Sequence, residues 1–152
     1  MQQFLKTTWQ KIATTLGASF NFDFWDNCQP RRSTYPACRA VLAARTFGLE
    51  KEMLYQIQQC YYLQSRNPSN DDVLIAASIE IGIEKSAFED KFYSEDIVRL
   101  LAKEIETVQH LPVRGYPSLV LFINDKALPI QLDYKNWQTS FEQIEHQLAH
   151  LT

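Results

Sequence analysis

The run "RGYPSLVLFINDKALPIQLDY", residues 114–134, constrains the fold more than any other stretch of this chain. Proline has no N–H to give a sheet ladder, so it belongs at a strand's first residue, at an edge or at a bulge. Pro117 stands where the apolar, β-rich "SLVLFI" begins. That placement predicts a rigid turn at Gly115-Tyr116-Pro117, with a cis Tyr116–Pro117 bond, presenting its backbone at the mouth of a sheet. Asn124-Asp125 supplies a hairpin turn, and "ALPIQL" returns as an antiparallel partner in which Pro129 argues for an edge position. In "DYKNWQTSFEQIEHQLAHL", Trp137, Phe141, Ile144 and Leu148 recur at helical spacing, which predicts a closing amphipathic helix with Asp133 as its N-cap.

Ahead of that hairpin the chain reads as helix after helix. Leu5, Trp9, Ile12 and Leu16 form one stripe, ended by Gly17 in a left-handed C-cap. "ASFNFDFWDNCQPRRST" has no period and is broken by Pro30, which predicts a packed, aromatic-rich loop. "YPACRAVLAARTFG" carries Pro36 in its first turn and Gly48 at its end. Ala37, Ala40, Val41, Ala44 and Phe47 surround much of that helix, which makes it central. Leu49, Met53, Ile57, Cys60 and Tyr61 stripe the next one. Ser69 with Asp72 resembles a capping box opening "DDVLIAASIEIG", which Gly82 stops. "EKSAFEDKFY" is a weaker helix. Ser94 caps "EDIVRLLAKEIETVQH", whose stripe is Ile97, Leu101, Ile105 and Val108.

The expected architecture is therefore α/β and mostly helical: a single domain over 1–152, helical over 1–111, with a β-β-α unit over 112–152. A net charge of −3 provides no basic footprint for nucleic acid. No apolar run reaches the roughly 18 residues that a membrane span needs, and "MQQFLKTTWQ" lacks the apolar stretch of a signal peptide. The three cysteines, Cys28, Cys38 and Cys60, are odd in number and form no CxxC pair. They read as reduced thiols of a cytoplasmic protein.

Three stretches in order, "STYPACRAVLAAR" at 33–45, "YYLQSRNPSND" at 61–71 and "LPVRGYPSLVLF" at 111–122, resemble the dithiol–disulfide isomerase group of the DsbA-like thioredoxin-fold proteins. The resemblance runs from about Trp9 to the final helix. It implies a thioredoxin-type fold with a DsbA-type helical insertion, followed by a C-terminal hairpin and helix. Members of that family open with a strand, a CxxC on the first turn of a helix, and a second strand. This chain begins at the helix that should follow that unit, so the fold is expected in truncated form. Disulfide chemistry needs a thiolate stabilised at a helix N-terminus with a resolving cysteine close by. Without the CxxC, no catalytic residue is assigned.

The resemblance makes Gly115, Tyr116 and Pro117 the candidate substrate-binding loop, since in related proteins the backbone before the cis proline pairs with substrate peptide. A relocated redox pair of Cys28 and Cys38 is the sharper reading of the thiols. The plainer one makes Cys38 and Cys60 small hydrophobes on helix faces and Cys28 a loop thiol. Glu142, His146 and His150 share one helix face, as a metal site would require. They lie on the polar face of a terminal helix with no fourth ligand nearby in sequence, so neither metal nor cofactor is assigned. His110 is placed to meet the terminal carbonyls of its helix. Arg31 and Arg32 form a loop pair, an anion site or a solvated surface.

Three functional classes follow. The first is a thiol–disulfide oxidoreductase or isomerase, implied by resemblance. The second is a non-catalytic peptide-binding or assembly module, redox-inactive as this chain, with a peptide or thiol at the cis-proline loop. The third is a kappa-class glutathione-dependent transferase or isomerase. An interior-type strand without its neighbour also predicts a homodimer.

Overall fold

The computed structural model describes residues 2–31 and 33–149. Eight helices and two strands follow in the order α1 (Gln2–Leu16), α2 (Phe24–Asn27), α3 (Tyr35–Arg45), α4 (Glu50–Tyr62), α5 (Asp71–Glu80), α6 (Lys85–Phe92), α7 (Glu95–Gln109), β1 (Leu119–Ile123), β2 (Lys126–Ile130) and α8 (Trp137–Ala149). The chain divides into two compact units, residues 1–101 and 102–152. The division falls inside α7, where the sequence reading put the step at 111/112.

In the first unit, α3 packs against α4, α5 and α6. Its sequence explains how one helix meets three. Ala40, Ala43 and Ala44 have no exposed surface, and methyl-sized side chains on adjoining faces let several helices approach one axis. Around them sit Met53, Ile57 and Cys60 of α4, Leu74 and Ala77 of α5, and Phe88 and Phe92 of α6. Phe47, expected in this core, is 38% exposed. α3 ends at Arg45, so the helical period no longer applies two residues later.

Several ends differ from the sequence reading. The Ser69–Asp72 capping box does not form: α5 has Asn70 at its N-cap, with no side-chain cap bond. The Ser69 amide instead donates to Asn67 Oδ1 at 3.0 Å, closing an Asx turn. α8 starts at Trp137, not at Asp133; Asn136 Oδ1 accepts from the Gln138 amide at 3.2 Å. Asp133 caps the turn before the helix, accepting from the Lys135 and Asn136 amides at 2.9 and 3.0 Å, and these bonds hold its carboxyl below its ordinary value. The expected loop at 18–34 contains the short α2, whose Phe24 and Trp25 are buried. A single turn leaves no helical period to detect.

α6 is better anchored than its sequence indicates. Glu84 is its N-cap, and Glu84 Oε2 accepts from the Ala87 amide at 2.9 Å and from the Ser86 hydroxyl at 2.5 Å. Phe88 and Phe92 stack inward at 5.5 Å with no exposed surface.

In the second unit, β1 and β2 form an antiparallel two-stranded sheet in the register Leu119↔Ile130 to Ile123↔Lys126. Asn124 and Asp125 adopt φ of 46° and 62°, the paired positive values of a type I′ turn. α8 docks on β2 through side chain to backbone: Ser140 Oγ donates to Gln131 O at 2.8 Å, and the Gln131 amide donates to Gln143 Oε1 at 3.0 Å. Ile130 is buried, but no described residue of α8 is. Trp137 and Phe141 meet each other edge to face and stay largely exposed.

Two outcomes test this architecture. Phe88→Ala removes a fully buried ring and is expected to cost about 3–5 kcal/mol in urea unfolding. Ser86 and the Ala87 amide hold the Glu84 carboxyl down to about 2, so its contribution is present above the unfolded carboxylate pKa and is lost as pH falls through the folded value. Glu84→Ala should therefore lower Tm at pH 7, and its gap from wild type should close between roughly pH 5 and pH 2.

Candidate functional site

The aromatic loop is stitched to the segment after α4. The Asn21 amide donates to Tyr62 O at 2.7 Å and Asn21 Nδ2 to Leu63 O at 3.2 Å. Cys28 Sγ donates to Ser65 O at 3.2 Å, Asn67 Nδ2 to Gln29 O at 2.9 Å, and Arg31 Nη2 to Asn70 Oδ1 at 2.6 Å. Behind this seam Trp9 stacks on Phe20 at 5.0 Å and meets Trp25 at 4.8 Å, while Phe24 meets Tyr61 edge to face at 4.7 Å. Apolar rings anchor the loop, and amides whose partners are backbone carbonyls set its register.

A cleft lies along the seam. Its apolar chamber, about 250 Å³, is walled by Pro30, Ala37, Ile57, Tyr61, Tyr62 and Pro68, with Ser33, Thr34 and Asn67 as polar groups. Arg31 lines both this chamber and a more polar cavity of about 710 Å³ that includes Cys28, Gln29, Ser65, Arg66 and Asn70. Arg66 is held by Glu80 at 2.9 Å, whereas the described partner of Arg31 is the neutral Asn70 amide. Burial, with Tyr62 alongside, pushes the Tyr61 phenol up, so it remains a neutral hydrogen-bonding group at pH 7. The arrangement suits a small amphipathic ligand with an anionic end.

The sequence reading did not single out this cleft, although it named two of its lining residues, Arg31 as an anion-site candidate and Cys28 as a candidate redox thiol. Arg32 lies outside the described residues. A signal was available, because the chamber is lined from the "STYPACRAVLAAR" and "YYLQSRNPSND" stretches that carry the resemblance. Their convergence depends on the long-range bonds of the seam.

The thiols are all free. Cys28 and Cys38 are half-buried; Cys60 is fully buried, and burial pushes its thiol up. The thiolate is the nucleophile, and both the raised thiol and the lack of exposed surface disfavour its formation and access at Cys60.

In the second unit, Gly115, Tyr116 and Pro117 form an exposed turn before β1. The Tyr116–Pro117 bond is cis, Ser118 Oγ donates to Gly115 O at 2.6 Å, and Tyr116 is 85% exposed. His110 Nδ1 sits 2.8 Å from Glu106 O near the end of α7. Glu142 and His146 lie on α8, and His150 is outside the described residues. Among the described residues no three His, Cys, Asp or Glu side chains gather as a metal site would require, and no helix is long and apolar enough to cross a membrane.

Residues 2–148 match the DSBA-like thioredoxin domain family, and the chain belongs to it. A solved structure from Nitrosomonas europaea, assigned as a protein disulfide isomerase, is 21% identical with a TM-score of 0.81, over 95% of this chain and 72% of that one. The cytosolic disulfide reductase DsbM of Pseudomonas aeruginosa, solved with GSH, is 25% identical with a TM-score of 0.68, over 92% of this chain and 73% of that one. Among curated proteins, the ClpXP adapter protein SpxH of Halalkalibacterium halodurans is 26% identical over 125 residues, which is 81% of this chain. The chain spans 40% of that relative's length.

Alkylation tests the thiol assignments. With excess iodoacetamide, Cys28 and Cys38 of the folded protein should modify while Cys60 reacts only after denaturation, as read by peptide mass. Early modification of Cys60 would contradict its burial.

Proposed function

We propose that this chain is a cytoplasmic thiol- and peptide-binding member of the DsbA-like family that does not turn over disulfides by itself. The observation that carries the reading is the state of its cysteines: three free thiols, none in CxxC spacing, one sealed in the core. Disulfide exchange needs an activated thiolate and a partner thiol to resolve the mixed disulfide, and no such pair is spaced for it here. Binding surface remains. The cleft beside Arg31 fits the size and polarity of a small thiol peptide such as glutathione, the molecule named with the DsbM structure. The exposed Gly115-Tyr116-Pro117 turn offers backbone to an extended peptide.

A second reading, a non-catalytic assembly module, gains support from the curated relative named as an adapter protein. Both readings share the absence of turnover and differ in what is bound. The kappa-class glutathione transferase or isomerase reading shares the ligand and differs by requiring chemistry.

The test has two arms. Insulin reduction, with and without glutathione, should stay at the background of three ordinary thiols. Titration of reduced glutathione by calorimetry should show binding that Arg31→Ala weakens roughly tenfold, the weight of one charge-assisted hydrogen bond. Turnover that vanishes with Cys28→Ser or Cys38→Ser would overturn the first claim, and absence of binding would leave the adapter reading.

A further inference from the structure

Of the three thiols, Cys28 is the one that borders charged space. Half-buried in the loop between α2 and α3, it lines the polar cavity of about 710 Å³ together with Arg31, Ser65, Arg66, Asn67 and Asn70. These walls all belong to the first unit, and the bonds of the seam join them. No carboxylate stands among the described lining residues. Glu80, which does not line the cavity, neutralises Arg66 at 2.9 Å. That leaves the Arg31 guanidinium, bonded to the neutral Asn70 amide, as the charge without a described carboxylate partner. Ser65 adds an independent feature. Its carbonyl accepts from Cys28 Sγ at 3.2 Å, while its Oγ is buried with no hydrogen-bond partner. A buried hydroxyl left unpaired costs free energy, and a polar ligand in the cavity that Ser65 lines would relieve it.

We propose that Cys28 is a site of reversible thiolation by small disulfides with carboxylate ends, the adduct lying in this cavity with a carboxylate on Arg31. The inference rests on the reading of the cleft beside Arg31 as a site for an anionic thiol, and it adds a covalent step. That step is a single exchange. Cys28 gives its proton to solvent, and its thiolate attacks one sulfur of R–S–S–R. The reagent's S–S bond breaks, R–S⁻ leaves, and Cys28–S–S–R remains. Cys28 is oxidised and the leaving sulfur is reduced, so the disulfide itself is the oxidant. A free small thiol reverses the step by the same route. Charge selects the reagent, because a carboxylate meets the guanidinium through a charge-assisted bond whereas an ammonium is repelled. Cys38 is half-buried on α3 and is not among the described lining residues, and Cys60 is sealed in the core. The chain therefore carries its own control thiols. Because Arg31 borders the apolar chamber as well, an adduct held on it closes the cleft to free ligand.

The test uses the unmodified chain and follows each cysteine by peptide mass. Rates with dithiodipropionate, an anionic disulfide, and with cystamine, a cationic one, are each divided by the rate with neutral iodoacetamide. That division removes differences in access and thiolate content. Cys28 should prefer the anionic reagent roughly tenfold more strongly than Cys38 does, the weight of one charge-assisted hydrogen bond. Arg31→Gln should erase the preference at Cys28 and leave Cys38 unchanged, with unmodified Cys60 showing that the variant is folded. Equal preference at Cys28 and Cys38 overturns the proposal without any variant, and so does a preference that survives Arg31→Gln. Calorimetry with reduced glutathione reports separately on the cleft. Binding with no charge preference at Cys28 sinks this inference alone, whereas the preference without binding supports the thiolation site and sinks the noncovalent reading.

Discussion

Much of the first unit depends on how close its helices can come to α3. Ala40, Ala43 and Ala44 keep that helix narrow on adjoining faces, and α4, α5 and α6 all reach it. Large residues arrive from the neighbours: Met53, Leu74, Phe88 and Phe92 fill the space the alanines leave. A larger residue at any of the three alanines would push against several elements at once, since interiors at native density have little room to yield. Arg39, one position from Ala40, lies with its guanidinium 5.1 Å from the Phe92 ring centre.

The cleft is a consequence of that core. α3 and α4 are fixed by it, and the aromatic loop is then laid across their ends by Trp9, Phe24 and Trp25. Bonds from Cys28, Arg31 and Asn67 set the loop's register against residues 65–70 and Gln29. The groups that line the cleft are aromatic walls, neutral amides, hydroxyls and the Arg31 guanidinium. Of the thiols, Cys28 lines the polar cavity and donates to the Ser65 carbonyl, and Cys60 is buried in the core.

The second unit obeys a different constraint. Its core is thin: Ile130 is buried, while Phe122, Tyr134, Trp137 and Phe141 keep 48% or more of their surface. The hairpin is held by its ladder, its type I′ turn and the polar docking of α8, not by a sealed interior. A two-stranded hairpin is marginal in water without more to pack on.

Local sequence determined most of the elements. Helical spacing and punctuation located seven helices, because stripes such as Met53-Ile57-Cys60 and stops such as Gly17 and Gly82 act within a few residues. The strand-opening Pro117, the Asn124-Asp125 turn and the edge proline Pro129 placed the hairpin for the same reason. What the sequence left open was decided by contacts between distant residues. Asn67 turned to Ser69 and Gln29 and took the place of the expected capping box. α2 was fixed by rings from other helices, with no period of its own. The cleft formed where residues 28–34 met residues 61–70. Helical spacing and turn chemistry are properties of neighbours in the chain, whereas a cavity belongs to surfaces that only packing brings together.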